Sequence, residues 1–311
     1  MAGALVSALA AVFGLIALGH LLRRHEVVPP LFWDGAERLT YYFALPALLV
    51  VRLAEAPLRE MPLLPVVAIL AGGVAIAGAL LFLARPLLEP DGPGFTSALQ
   101  GTFRPNTYVG LATAAALFGA EGVTLAAISL AVLVPLVNLL AVAALIRYGR
   151  RTGQRAPGFW GSLGRNPLVL ACLVGVTLSL LPLNLPTPAA AFLDGLGQAA
   201  LPLGLMAVGA GLYWGQIGRH PRLLIAASAI KLLLLPAGVG AVALAAGLDS
   251  TTGAVLVLFA GVPASASCYI LARQLGGDAP LMASILTVQT IAAVATLPLV
   301  VGGFLAVSGG G

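Results

Sequence analysis

Apolar residues run through this chain in blocks of about twenty, separated by short joints that hold most of its arginines. A bilayer core of about 30 Å calls for about 20 apolar residues per helix. Cutting the chain at its charges, prolines and glycines gives ten such blocks. The first five are Ala4–Leu22, Gly35–Leu53, Pro62–Leu83, Phe95–Phe118 and Val123–Leu145; the second five are Asn166–Leu183, Ala189–Leu212, Leu223–Ala246, Thr251–Leu275 and Pro280–Val301. Little remains between them. The pattern predicts an all-α polytopic membrane protein of ten transmembrane helices, without room for a soluble domain.

Two blocks carry an internal interruption. The fourth contains Gly101-Thr102-Phe103-Arg104-Pro105-Asn106-Thr107-Tyr108, and the ninth contains Gly261-Val262-Pro263-Ala264-Ser265-Ala266-Ser267. Hydrocarbon offers backbone groups no water, so a helix broken inside a membrane is tolerated only where protein or a wet cavity satisfies the freed groups. Paired breaks in corresponding places of two halves point to a transporter's binding site.

Composition agrees with the pattern. The 311 residues are 60% hydrophobic and 9% charged, with a mean hydropathy of +1.04. A soluble domain carries roughly 25% charged residues, so polar surface is too scarce to cover a water-soluble globule. The pI near 9.7 does not indicate a nucleic-acid partner, because the basic residues form no stripe. Cys172 and Cys268 lie inside apolar runs without metal or redox spacing. His20, His25 and His220 are scattered, so no metal site and no cofactor is expected.

The arginines set direction instead, because basic residues gather in cytoplasmic joints. Joints of odd number collect Arg23, Arg24, Arg38, Arg85, Arg147, Arg150, Arg151, Arg155, Arg165, Arg219, Arg222 and Arg273; those of even number collect Arg52 and Arg59. This places both termini outside the cytoplasm and the chain in the inner (plasma) membrane. Arg23, Arg24 and His25 follow the first apolar run rather than precede it, so that run reads as a retained helix and not as a cleaved signal.

The two sets of five also look duplicated. Ala44-Leu45-Pro46 recurs as Ala200-Leu201-Pro202, 156 positions on; Pro62 matches Pro221 at 159, Pro105 matches Pro263 at 158, Gly119-Ala120-Glu121 matches Gly276-Gly277-Asp278 at 157, and Pro135 matches Pro298 at 163. Five spans is an odd number, so the second unit enters from the opposite side. The expectation is two inverted five-helix repeats, residues 1–148 and 166–311, joined by a basic cytoplasmic linker at 149–165, with helices 4 and 9 broken and crossing.

A broken helix exposes backbone N–H groups at the start of its second half, where aligned peptide dipoles leave partial positive charge. Asn106 and Thr107 follow Pro105, and Ser265 and Ser267 follow Pro263; these side chains can cap freed groups or reach a ligand. Two such starts converging make an anion site. Arg104 adds a full charge and a planar fork suited to carboxylate, at a cost of at least about 2.5 kcal/mol near the bilayer centre. Lys231 could line the cavity or answer carbonyls at a break. Asn138, Gln198, Thr287, Gln289 and Thr290 are the remaining polar candidates, for ligand or for helix packing. No Asp or Glu sits at the centre of a span, so no buried acid is available to carry a proton or hold sodium. No Ser/His pair, HExxH or paired intramembrane aspartate indicates an enzyme.

Phe103-Arg104-Pro105-Asn106-Thr107-Tyr108-Val109-Gly110-Leu111, followed by Leu117 to Gly122, resembles bacterial members of the auxin efflux carrier family. So do Pro135 to Asn138, Asn166-Pro167, Ala200 to Leu205, and Tyr269 to Asp278 continuing to Thr287 and Gln289. The resemblance covers essentially the whole chain. It implies a scaffold of spans 1, 2, 6 and 7 and a moving transport part of spans 3–5 and 8–10. Members carry auxin, malate or malonate, which implies a small organic anion as substrate, and the polar contact after the first crossing proline maps onto Asn106. Related bile-acid symporters hold sodium with a glutamate on the ninth helix; this chain has no acid beside Pro263.

The combined reading is a secondary carrier for a small carboxylate, working by alternating access in the lipid bilayer, without nucleic acid. Its expected substrate contacts are Arg104, Asn106, Thr107, Asn138, Lys231, Ser265, Ser267 and Gln289, and Pro105 and Pro263 are the helix breaks. Coupling to protons or to membrane potential fits better than sodium, and a homodimer is compatible. A sodium- or proton-coupled ion antiporter or symporter of the same plan is the alternative.

Overall fold

The computed structural model describes residues 2–150, 164, 166–181, 183, 185–215 and 220–309, so Arg151, Arg155, Arg165, Arg219 and most of the expected linker lie outside the described residues. Among the described residues the protein is all-helical and contains no strand. Six helices or helix pairs are long and apolar enough to span a bilayer: Leu5–Arg24, Leu63–Leu88, Thr107–Tyr148, Thr187–Ala210, Pro221–Ala245 and Ala279–Ser308. Pro167–Leu180 and Ser250–Gly261 are apolar but shorter.

In chain order the elements are α1 (Ala2–Arg24), α2 (Pro30–Leu39), a π turn (Thr40–Ala44), α3 (Leu45–Ala54), α4 (Leu63–Leu88), α5 (Gly92–Phe103), α6 (Thr107–Tyr148), α7 (Pro167–Leu180), α8 (Thr187–Gln198), α9 (Ala200–Ala210), α10 (Pro221–Ala229), a second π turn (Ile230–Leu234), α11 (Leu235–Ala245), α12 (Ser250–Gly261), α13 (Ser267–Leu275) and α14 (Ala279–Ser308). Both π turns are followed directly by Leu-Pro, at Leu45-Pro46 and Leu235-Pro236. Proline lacks the N–H of the helical ladder and its ring crowds the carbonyl four residues back. One wide turn absorbs that conflict and lets the helix continue. The second π turn carries Lys231, which the widened turn places wholly inside the protein.

Side chains and glycines fix the helix ends. Asp91 accepts the Gly94 N–H at the start of α5, and Asp249 accepts the Thr252 N–H at the start of α12. Gly119 (φ 59°) bends α6 after its first three turns, and Gly276 (φ 80°) separates α13 from α14. A side chain at Gly276 would also collide with the Arg150 carbonyl. α1 packs along α9, α3 against α7 and α8, and α12 against α6, α11 and α14. The α1–α9 contact is made backbone to backbone: a Cβ on Gly19 would strike the Met206 carbonyl, and one on Gly209 the Ile16 carbonyl. Small residues are what allow such an approach between membrane helices.

The joints sort into separate groups of contacts. Arg85 lies 4.9 Å over both the Phe95 and Tyr148 rings, Arg150 N–H donates to Gly276 O at 2.8 Å, Ser97 Oγ to Asp278 O at 2.9 Å, and His220 meets Asp278 at 3.4 Å. Arg52 pairs with Asp194 at 3.0 Å, and Ser179 Oγ donates to Ala56 O at 2.6 Å. The first group gathers near the odd-numbered joints of the sequence reading, and the second near the even-numbered ones.

Candidate functional site

The two breaks meet. After α5 and α12 the backbone turns extended at Arg104 (φ −80°, ψ 113°) and at Val262 (φ −63°, ψ 147°), and Pro105 and Ala264 form an antiparallel bridge. In it the Asn106 N–H donates to Pro263 O at 2.8 Å.

Each proline removes an N–H, and the carbonyl four residues earlier loses its helical partner. For Pro105 that carbonyl is Gly101 O, which accepts from Gln289 Nε2 at 3.0 Å. For Pro263 it is Phe259 O, which accepts from Lys231 Nζ at 3.2 Å. Gln289 also uses its other end, Oε1 accepting from Ala264 N–H at 2.9 Å. One carboxamide on α14 therefore satisfies a carbonyl at the first break and an amide at the second. Both side chains are fully buried.

The second halves begin differently. Asn106 Oδ1 accepts from Tyr108 N–H at 3.1 Å and Val109 N–H at 3.2 Å, so the start of α6 is capped from within. Thr107, buried, opens that helix. Asn166 Oδ1 caps α7 in the same way through Leu168 and Val169 N–H. α13, by contrast, starts at Ser267 without a side-chain cap.

Arg104 is 6% exposed and sits beside that uncapped start. Its Nη2 donates to Asn138 Oδ1 at 2.8 Å and to Ser267 Oγ at 3.1 Å, and Ser267 Oγ lies 3.1 Å from Ser265 Oγ. Its Nη1 is buried with no hydrogen-bond partner. Among the described residues no carboxylate pairs with it; the ion pairs are Arg52 with Glu55 and Asp194, and His220 with Asp278. Arg104, Asn138, Ser265 and Ser267 thus form one connected polar chain. Asn106 and Thr107 flank it, while Gln289 and Lys231 bond the two orphaned carbonyls.

Neighbours not singled out from the sequence also belong here. Tyr41 lies near Arg104 and the Asn166 side chain. The Tyr108 ring fills the space over Gly204 of α9, and its hydroxyl is buried without a partner. Asn166 was visible only as part of an Asn-Pro pair, and nothing in the sequence places the tyrosines at the breaks.

The family model described as "Membrane transport protein" matches residues 154–301. A relative from Rhizobium meliloti (strain 1021), described as "Putative malonate transporter", is 25% identical over 301 residues, covering 92% of this chain and 91% of the relative. These matches bear out the resemblance to the auxin efflux carrier family read from the motifs. With the apolar helices, they identify the chain as a multi-pass membrane transport protein.

Proposed function

We propose that this protein is a secondary carrier of a small organic anion, and that the anion's carboxylate is held by Arg104 at the meeting of the two breaks. The observation that carries this reading is the guanidinium itself: buried, bonded only to neutral side chains, and with Nη1 unpartnered. A buried charge is normally paired, and a carboxylate substrate would supply the missing counter-charge. The start of α13, whose Cys268 and Tyr269 N–H groups donate to Ser265 O and Ala266 O, adds partial positive charge beside it. A malonate-like dicarboxylate is the substrate class we propose, in keeping with the name of the Rhizobium relative.

The transport part comprises spans 3–5 and 8–10 and moves against spans 1, 2, 6 and 7, within two inverted five-helix repeats. Supporting this plan are the aspartate caps at Asp91 and Asp249, the left-handed glycines 119 and 276, and the two proline breaks, each pair separated by 157 or 158 positions. The joints carrying most arginines face the cytoplasm of the inner membrane, with both termini outside. Coupling is to protons or membrane potential.

Uptake of labelled dicarboxylates into proteoliposomes tests the site. A charged hydrogen bond contributes about 1.5–3 kcal/mol, so Arg104→Gln should weaken substrate affinity by about 10- to 150-fold at about 1.4 kcal/mol per decade. Ser267→Ala should weaken it less. Wild-type affinity in a folded Arg104→Gln protein overturns the assignment.

A further inference from the structure

Where Gly19 of α1 meets Met206 and Gly209 of α9 meets Ile16, the two helices touch backbone to backbone, and toward their ends lies a cavity of about 700 Å³ lined by His20, Arg23, Arg24, Ala210, Leu212 and Trp214. Its volume lies within the range of about 300–1,000 Å³ usual for small-molecule sites. It belongs to the joints that gather arginine, and is built from different helices than the Arg104 site.

Among the described residues, three of its six lining side chains are basic or potentially basic, and none is acidic. Arg23 Nη1 donates to the last α9 carbonyl, Ala210 O, at 3.0 Å, which fixes that guanidinium at the cavity wall. Arg24 forms no hydrogen bond or ion pair among the described residues. The 216–219 stretch that follows Gly215 contains no acid either. Trp214 stands edge-on to His20 with ring centroids 6.1 Å apart, and is 56% exposed. Tryptophan concentrates where membrane meets water, and basic pockets between helices at that level take anionic head groups.

We infer that this cavity is a phosphate-type oxyanion site at the membrane surface, with Arg23 and Arg24 contacting the oxyanion and Trp214 and Leu212 forming its apolar wall. The chemistry fits the phosphodiester of an anionic phospholipid, and it fits free phosphate.

Delipidated full-length protein should be titrated with phosphatidylglycerol and with phosphatidylcholine and read by native mass spectrometry. Inorganic phosphate should be titrated separately by calorimetry. An arginine near an anionic membrane surface contributes about 1 kcal/mol, so Arg24→Gln should lower phosphatidylglycerol affinity about fivefold, and Arg24→Lys should keep most of it. Melting temperature and substrate uptake should stay at wild-type values. Phosphatidylglycerol preferred over phosphatidylcholine, and lost in Arg24→Gln, supports a lipid occupant. Phosphate binding lost in the same variant, without a lipid preference, supports a soluble one. Equal binding of both probes by wild type and by a folded His20→Gln/Arg24→Gln protein overturns the site.

Discussion

Replacing Gln289 with leucine removes two bonds that no other group of the helices can supply. Gly101 O has lost its ladder donor to Pro105, and Ala264 N–H lies in extended backbone where the ladder has ended. A buried backbone group left unpaired costs about 1–3 kcal/mol, so the two together cost about 2–6 kcal/mol. Added apolar burial returns about 1 kcal/mol, which leaves a net loss of about 1–5 kcal/mol. At about 2 °C per kcal/mol for a large domain, the melting temperature in detergent should fall by about 2–10 °C.

The neighbouring Thr290 supplies the control. It is equally buried, but its hydroxyl donates to Leu286 O, a carbonyl of its own helix, at 2.7 Å. Thr290→Val therefore leaves no broken-helix carbonyl without a donor, and should cost less than about 1.5 kcal/mol, the net worth of one ordinary hydrogen bond. Gln289→Glu keeps the acceptor for Ala264 N–H but, once ionised, turns the donor facing Gly101 O into a second acceptor, so as a carboxylate it should be no better than leucine, while its protonated form can still donate. If Gln289→Leu melts with Thr290→Val and transports normally, the two breaks are not held by this carboxamide and the reasoning fails.

Lys231→Met should lower stability by about 1–3 kcal/mol by orphaning Phe259 O, measured by thermal unfolding in detergent; an unchanged melting temperature would show that water answers this carbonyl. Gly209→Ala should destabilise by about 1–3 kcal/mol, because its Cβ meets the Ile16 carbonyl and backbone cannot yield as a side chain can. Gly14→Ala on α1, where a Cβ meets nothing, should be neutral or stabilising by up to about 1 kcal/mol; both are read from the same melts.

The helices and the breaks were legible because they depend on local causes. A block of twenty apolar residues or a proline acts within a few positions. Even the orphaned carbonyls can be found by counting four residues back from Pro105 and Pro263. Their donors cannot, because Gln289 is 188 positions from Gly101 and Lys231 is 28 from Phe259. Asn106 shows the opposite limit. It reads as a ligand contact or a cap from sequence, and only geometry shows its oxygen already engaged by Tyr108 and Val109. The second span was placed at Gly35–Leu53, whereas the helix begins at Pro30, since proline suits the first turn and the π turn lets it run on past Pro46.

The hydrogen bonds around the breaks have a further property that bears on movement. In the proposed ten-span plan, Gly101, Arg104 and Asn106 belong to the fourth span, Asn138 to the fifth, Lys231 to the eighth, Phe259, Pro263, Ala264, Ser265 and Ser267 to the ninth, and Gln289 to the tenth. Every bond described among them closes within the proposed transport part. Toward the proposed scaffold, the Tyr108 ring over Gly204 offers van der Waals contact with its hydroxyl unpaired, and buried Thr287 Oγ1 of α14 accepts from Tyr213 N–H at 2.9 Å and donates to Tyr213 O at 3.1 Å just past the end of α9. Because the bonds at the breaks are internal, the broken helices can move together without leaving those buried donors and acceptors unsatisfied, each of which would cost about 1–3 kcal/mol, whereas the Thr287–Tyr213 bonds must yield or travel with the motion. Had Gln289 or Lys231 bonded across to spans 1, 2, 6 or 7, each transport cycle would have to break and remake that bond inside the membrane. The arrangement favours rigid-body motion of the broken helices together with the anion at Arg104, and disfavours a mechanism in which the breaks themselves open.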